Sequence, residues 1–304
     1  MVNVKTKSKY YFFLFMEQVI AEMRKMDRIR TSETYATTLR SLKRFQNGID
    51  FSVREFNSER MVAYEAYLKQ CGVSLNTSSF YMRNLRAVYN RAVERNLTPQ
   101  RYPFRHVYTG IGKTVKRALP AQVIRQLKCL DLSANPSLQF ARDMFLFSFY
   151  TRGMSFIDMA YLRNKDLSHG FLTYCRRKTR QQLTIKWERC MQEIIDRYHI
   201  LDSPYLLPII RPSHRIDERI QYIYASNKVN KSLKIIGCML NLHQPLTLYV
   251  SRHSWASIAR SLNVPLAVIS EGMGHDSEST TRIYLASLNT AVIDRAHEKI
   301  LSAL

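Results

Sequence analysis

With 304 residues, 46% of them hydrophobic, the chain has ample material for a packed core without disulfide staples, and its length suits two medium domains. A formal charge of +22 calls for a polyanionic partner, nucleic acid first, because so large an excess of one sign repels itself until something neutralises it. No run of 18 or more uncharged apolar residues exists to cross a membrane as a helix, and five scattered cysteines without close spacing exclude a disulfide framework and a zinc site, so a reducing cytoplasm is the expected compartment.

In chain order, the apolar run 10–16 is too short for a span and leads without a small-residue cleavage site into the charged segment 17–30, which makes it the opening of an amphipathic helix. Helical patterns follow over 12–26, 32–47, 52–70 and 77–96, with turn residues such as Asn47-Gly48 and Cys71-Gly72 between them, and together they predict a small four-helix bundle. In the fourth, Phe80, Leu85, Val88, Ala92 and Val93 form an apolar stripe, while Arg83, Arg86, Arg91 and Arg95 occupy other faces from which they could meet phosphates. Residues 1–110 hold 19 Lys/Arg against 9 Asp/Glu and the remainder 27 against 15, so both halves are basic, which suits a grip on a duplex from two sides better than a neutral body with a basic tail.

From Arg105 to Ala118 the periodicity dissolves into a glycine-containing basic segment with Lys113, Lys116 and Arg117, and Pro120 then stands where a helix can begin. The expected organisation is a helical DNA-binding domain over 1–108, a linker over 109–118 and a second domain over 119–304. That second domain opens with helical patterns at 121–129, 136–150 and 155–162, then changes texture. Phe171–Cys175 and 183–187 read as two strands joined by the basic turn 176–182. Helices at 191–198, 226–240, 251–262, 265–273 and 290–303 complete a mainly α chain with a small β-hairpin, an α+β fold.

The informative stretch is Leu248-Tyr-Val-Ser-Arg-His-Ser-Trp-Ala-Ser257, then Glu271-Gly-Met-Gly-His-Asp276, then Thr280-Thr-Arg-Ile-Tyr284. Arg252, His275 and Tyr284 fall at offsets of 23 and 9 residues. A Gly-His dipeptide or an Ile-Tyr at a helix end is common by chance; all of these pieces in order at these offsets are not. The combination resembles the tyrosine recombinase, or phage integrase, family of mobile-element recombinases. The resemblance implies that Tyr284 attacks a DNA phosphodiester and becomes joined to the 3′-phosphate. It further implies that 1–108 is the family's SAM-like core-binding domain and 119–304 its catalytic domain, that four protomers assemble on paired double-stranded DNA sites, and that accessory DNA-bending proteins assist.

The chemistry needs these residue types. A phenol with a pKa near 10 is a poor nucleophile at neutral pH, so the site must stabilise charge developing on the phosphate oxygens. Arg252 would offer forked hydrogen bonds to the non-bridging oxygens and His275 a further donor; the bland alternatives are a surface ion pair and a capping histidine. His253, next to Arg252, is expected to pack or support. Tyr174-Cys-Arg-Arg-Lys-Thr-Arg180 resembles the family's hairpin, whose lysine protonates the departing 5′-oxygen, and Lys178 matches that lysine. The family usually carries an imidazole three residues before Arg252; Tyr249 stands there, a weak base without an assigned role.

The first catalytic arginine also departs from the pattern. Asp158, Leu162 and Asp166 align with the family's acid, leucine and aspartate, which puts Ser155 at the arginine's position. Arg152 could replace it from one helical turn earlier if the helix extends that far, and is preferred here; Arg176, on the hairpin, is the alternative. Asp158 would then orient an arginine or form a structural ion pair. Transesterification conserves the phosphodiester energy, and no His, Cys or carboxylate cluster has ligand spacing, so no metal or nucleotide cofactor is expected. The rival readings are a type IB topoisomerase, which relaxes supercoils as a monomer, and a catalytically idle DNA-binding regulator on the same fold.

Overall fold

The computed structural model describes residues 10–112, 117–198, 200–212, 215–275, 277, 281–282 and 300–302. Tyr284 and most of the expected final helix lie outside the described residues. The chain divides into two compact units, Met1–Thr114 and Val115–Leu304.

The first unit is built from α1 (Phe12–Lys25), α2 (Ile29–Phe45), α3 (Ser58–Gln70) and α4 (Leu75–Glu94). In α1 the buried residues Phe12, Phe13, Phe15, Met16, Val19, Ile20 and Met23 make one broad apolar face. Its start is fixed from a distance: the amides of Phe13 and Leu14 donate to the Asp50 carboxylate, a capping acid far along the chain. The expected helix over 52–70 begins only at Ser58. Phe51, Val53 and Phe56 turn into the core ahead of it, and the Asn57 side chain accepts from the Arg60 amide to cap α3. At Asn47-Gly48 both residues have positive φ and end the α2 segment. In α4 the buried set is Ser78, Ser79, Met82, Leu85, Val88, Tyr89 and Ala92, so Met82 and Tyr89 fill the core while Phe80 lies half-buried. Of the expected phosphate-facing arginines, Arg95 is engaged with Glu22 of α1 at 2.7 Å, and Arg86 is exposed.

The second unit comprises α5 (Ala121–Cys129), α6 (Pro136–Tyr150), α7 (Phe156–Ala160), a sheet of β1 (Leu167–Ser168), β2 (Phe171–Cys175) and β3 (Gln182–Lys186), then α8 (Arg189–Tyr198), α9 (Glu218–Met239), α10 (Leu248–Ser261) and α11 (Leu266–Gly272). The central element is α6, capped by the Asn135 side chain with Pro136 in its first turn and buried on nearly all sides from Leu138 to Ser148. It packs against α8, α9 and α10. The three strands are antiparallel in the order β1-β2-β3, with Phe171 opposite Lys186 and Cys175 opposite Gln182. Leu172 and Tyr174 of β2 and Leu183 and Ile185 of β3 face the core, the alternation that a half-buried hairpin requires. The two-residue β1 is too short to show such alternation in sequence. Helix α9 starts earlier than its periodicity predicts because Asp217 caps it through the amides of Arg219 and Ile220, while Ile220, Ile223 and Tyr224 stay exposed.

Candidate active site

The site is assembled from four segments of the second unit: α10, the turn between α6 and α7, the β2–β3 hairpin, and the residues that follow α11. Helix α10 comes close to α6 because its buried face is small and polar at the contact. Ser251 shares a 2.6 Å hydrogen bond with Ser148 of α6, and Ser254 accepts from the Leu119 amide at 2.8 Å. On that face lies Arg252, only 3% exposed.

The turn that receives Arg252 is set by backbone conformation. Helix α6 ends at Tyr150, Arg152 and Gly153 both take positive φ, and the Gly153 amide returns to the Ser148 carbonyl at 2.8 Å, a helix-ending pattern that glycine permits. The Gly153 carbonyl accepts from Nη1 of Arg252 at 2.7 Å. A Cβ on Gly153 would stand 2.7 Å from Cα and Cγ of Arg252, so only glycine lets the two backbones come this close. Nη2 of Arg252 donates to the Met273 carbonyl at 2.7 Å and lies 2.8 Å from Nε2 of His275. These contacts use three of the five guanidinium donors and hold the rest of Arg252 in fixed orientation.

His275 is pinned on both sides. A guanidinium only donates, so Nε2 accepts from Arg252; Nδ1 then carries the proton and donates to Oγ1 of Thr281 at 2.7 Å. Burial and the charges of Arg252, Arg176 and Lys178 push its pKa down to about 4, so the ring is neutral at physiological pH. The pH consequence has a definite sign. Unfolded, the ring takes its proton near its ordinary value of 6.5; folded, it resists protonation until about 4. Stability is therefore full above pH 6.5 and declines as the pH falls from there toward 4. The drop in melting temperature between pH 7 and pH 4.5 should be smaller in His275→Gln than in the wild type, and identical drops would show that His275 is not the group responsible.

Arg176 enters from the hairpin. It is 6% exposed, its Nη1 donates to the Gly274 carbonyl, and its Nε lies 4.0 Å from Oδ2 of Asp158. Gly274, at φ +63°, would place a Cβ 2.7 Å from Cδ of Arg176 and 2.9 Å from Cδ1 of Leu183. Asp158, buried at the start of α7, also accepts from the Arg177 amide at 2.9 Å and from Oγ of Ser155 at 2.6 Å. Burial and the neighbouring charge of Arg176 lower the pKa of Arg252 to about 10, which still leaves Arg252 charged at neutral pH. Two buried cations with one buried carboxylate beside them make a pocket with an excess of positive charge, suited to an anion such as a phosphate.

The structure brings Arg252, His275 and Arg176 together. Lys178, exposed at the hairpin turn, is near enough for its charge to act on His275. Tyr249, half exposed one turn before His253, packs edge to face on that ring at 4.9 Å between centroids. Burial raises its pKa against the pull of Arg252 and Arg176, so it is a protonated donor at neutral pH. Arg152 stands differently from expectation. The α6 helix does not reach Ser155, so the shared helix face is absent; Arg152 is half-buried and its Cδ runs alongside Gly272 of α11. Tyr284 lies outside the described residues. Sequence reading did not find the carbonyls of Gly153, Met273 and Gly274 or the Thr281 hydroxyl, since backbone acceptors have no residue-type signal. The glycines in Thr151-Arg-Gly-Met154 and Gly272-Met-Gly274 were the available hints.

Residues 11–107 match the model of the phage integrase SAM-like domain. Among solved structures, the chain is similar to a Tn1549 transposon integrase in complex with a circular intermediate DNA, at 14% identity and a TM-score of 0.67 over 95% of this chain and 99% of that one. It is similar to a lambda integrase tetramer bound to a Holliday junction, at 14% identity and a TM-score of 0.63 over 91% of this chain and 78% of that one. A third is the XerH site-specific recombinase bound to a palindromic difH substrate in a post-cleavage complex, at 15% identity and a TM-score of 0.64 over 92% and 83% of the two chains. No curated protein matches the sequence. Residues 11–107 thus match the SAM-like domain of phage integrases, and the chain shares the fold of these integrases and recombinases over nine-tenths of its length.

Proposed function

We propose that the protein is a site-specific DNA recombinase that cleaves and rejoins DNA through a 3′-phosphotyrosyl intermediate. The observation that carries this reading is the pair of buried guanidinium groups, Arg176 and Arg252, fixed by glycine carbonyls beside a neutral His275. Fixed guanidinium donors in a buried pocket would stabilise the further charge that builds on the non-bridging oxygens in the transition state.

In this reading Tyr284, nine residues beyond His275, supplies the nucleophile. Arg252 and a second guanidinium bind the non-bridging oxygens, with Arg176 and Arg152 as the two sources of the second. Lys178 protonates the leaving 5′-oxygen, and Tyr249 donates a hydrogen bond to the phosphate. A bound phosphate would counter the cations around His275 and raise its pKa, making the ring a better donor in the complex than in the free protein. The bond energy passes into the phosphotyrosyl link, so neither metal nor nucleotide need be consumed. Double-stranded DNA is the substrate, with tetramer assembly on paired sites by analogy with the lambda integrase complex.

Trapping the intermediate tests the reading. Wild-type protein incubated with nicked duplexes from DNA flanking its own coding region should yield a covalent adduct that survives denaturation and maps to Tyr284, and Tyr284→Phe should yield none. Tight, salt-sensitive binding to a site without any adduct would instead assign the chain as an idle regulator on this fold. Supercoil relaxation by a monomer would assign it to topoisomerase chemistry.

A further inference from the structure

The β2–β3 turn carries two of the proposed charges. The Arg176 amide donates to the Gln181 carbonyl and the Arg180 amide to the Arg176 carbonyl, closing a tight turn with Lys178 at its exposed centre. That turn is fastened to α7 by Asp158, whose Oδ1 takes the Arg177 amide and whose Oδ2 faces Nε of Arg176. Ser155, at the position where the family carries its first arginine, spends its hydroxyl on Asp158. Nε of Arg176, Oγ1 of Thr179 and Oε1 of Gln181 are buried polar atoms of this one turn without hydrogen-bond partners among the described residues. Buried polar groups left without partners call for an explanation, and a bound anion or water at the turn supplies one.

We propose that the turn at 176–181 is a single docking element that delivers the phosphate-binding guanidinium of Arg176 and the proton-donating ammonium of Lys178 together, with Asp158 and Ser155 as its latch. Ser155 is then no defect in the site. It is the positioning residue that accompanies an arginine moved from α7 to the hairpin, and Asp158 holds the hairpin instead of an arginine on its own helix. Phosphate clamp and proton donor are present together or absent together, so cleavage requires the turn to be docked. The inference rests on the transesterification reading. In that step the Tyr284 oxygen bonds to phosphorus and the bond to the 5′-oxygen breaks. The phenol proton leaves to solvent, and Lys178 gives a proton to the 5′-oxygen and regains one from solvent.

A sulfur leaving group separates the two functions. A 5′-bridging phosphorothiolate expels a thiolate, which needs no proton because a thiol ionises near pH 8.5. Adduct formation is measured with oxygen- and sulfur-bridged nicked duplexes for Arg176→Ala, Lys178→Ala, Asp158→Asn and Arg152→Ala, with Ser155→Ala as the milder latch variant. Circular dichroism and DNA binding serve as folding controls. On the oxygen substrate, Arg176→Ala, Lys178→Ala and Asp158→Asn should each be slower by about 100-fold or more. On the sulfur substrate, Lys178→Ala should return to near the wild-type rate. Arg176→Ala should stay slow there, and Asp158→Asn should rise only to the level of Arg176→Ala. Ser155→Ala should follow Asp158→Asn with a smaller loss. Wild-type rates for Arg176→Ala together with loss in Arg152→Ala would overturn the proposal, as would full rescue of Asp158→Asn by sulfur. No adduct from the wild type on either substrate would instead remove the transesterification reading itself.

Discussion

Arg252→Lys should slow strand cleavage by about 10²–10³-fold while weakening DNA binding by less than tenfold. The rate figure is the usual cost of losing a pre-oriented donor to a developing oxyanion. Lysine keeps the charge but not the fork: one ammonium has no geometry that reproduces the donors now given to Gly153, Met273 and His275 while still offering more to a phosphate. Binding changes less because it sums over many phosphates contacted by a chain of charge +22, of which the scissile one is a single member. The split is measured as single-turnover cleavage at saturating protein against equilibrium binding at fixed salt. A parallel fall in both would mean that Arg252 only helps to hold DNA. The variant also leaves buried carbonyls without donors, a cost of about 1–3 kcal/mol each, so its melting temperature should fall as well.

Much of this was legible in the sequence, for physical reasons. Segments with a proline at or beside the first turn, such as α5 after Pro120 and α6 from Pro136, can be bounded from sequence because such start signals act locally. The offsets among Arg252, His275 and Tyr284 carry the resemblance to the recombinases; the structure brings Arg252 and His275 together, and Tyr284 lies outside the described residues. What could not be read depends on tertiary geometry. Asp50 caps a helix 37 residues away from it in sequence. The placement of Arg152 is the clearest case. Residue spacing put Arg152 one helical turn from Ser155, but spacing implies a shared face only inside a helix. Positive φ at Arg152 and Gly153 ends α6 before that relation can apply. Arg176 was legible only as the alternative on the hairpin, because nothing in a basic turn says which of its arginines is buried. Its burial comes from the anchor at Asp158 and from the absence of a side chain at Gly274.

Gly153→Ala should destabilise the second unit by about 2–5 kcal/mol and reduce cleavage by about 100-fold at temperatures where the variant remains folded. Two costs add. An L-residue held at φ +75° costs about 1–2 kcal/mol of backbone strain. The new Cβ, at 2.7 Å from Cα and Cγ of Arg252, forces a shift in a packed interior at about 1–3 kcal/mol. The loss of rate follows from the same shift, because displacing a positioned catalytic group by about 1 Å is enough for a 10²-fold effect. Gly48→Ala isolates the backbone part: it sits at φ +79° with nothing within 4 Å of the added Cβ, so it should cost only the strain and leave cleavage unchanged. Chemical denaturation and single-turnover cleavage on the two variants make the comparison. Equal destabilisation by both, with full activity in Gly153→Ala, would mean that the turn tolerates the side chain and that Arg252 is not held by this close approach. A larger loss at Gly153, with activity falling alongside, would place the glycine among the determinants of the site although its own atoms contribute no side chain to the chemistry.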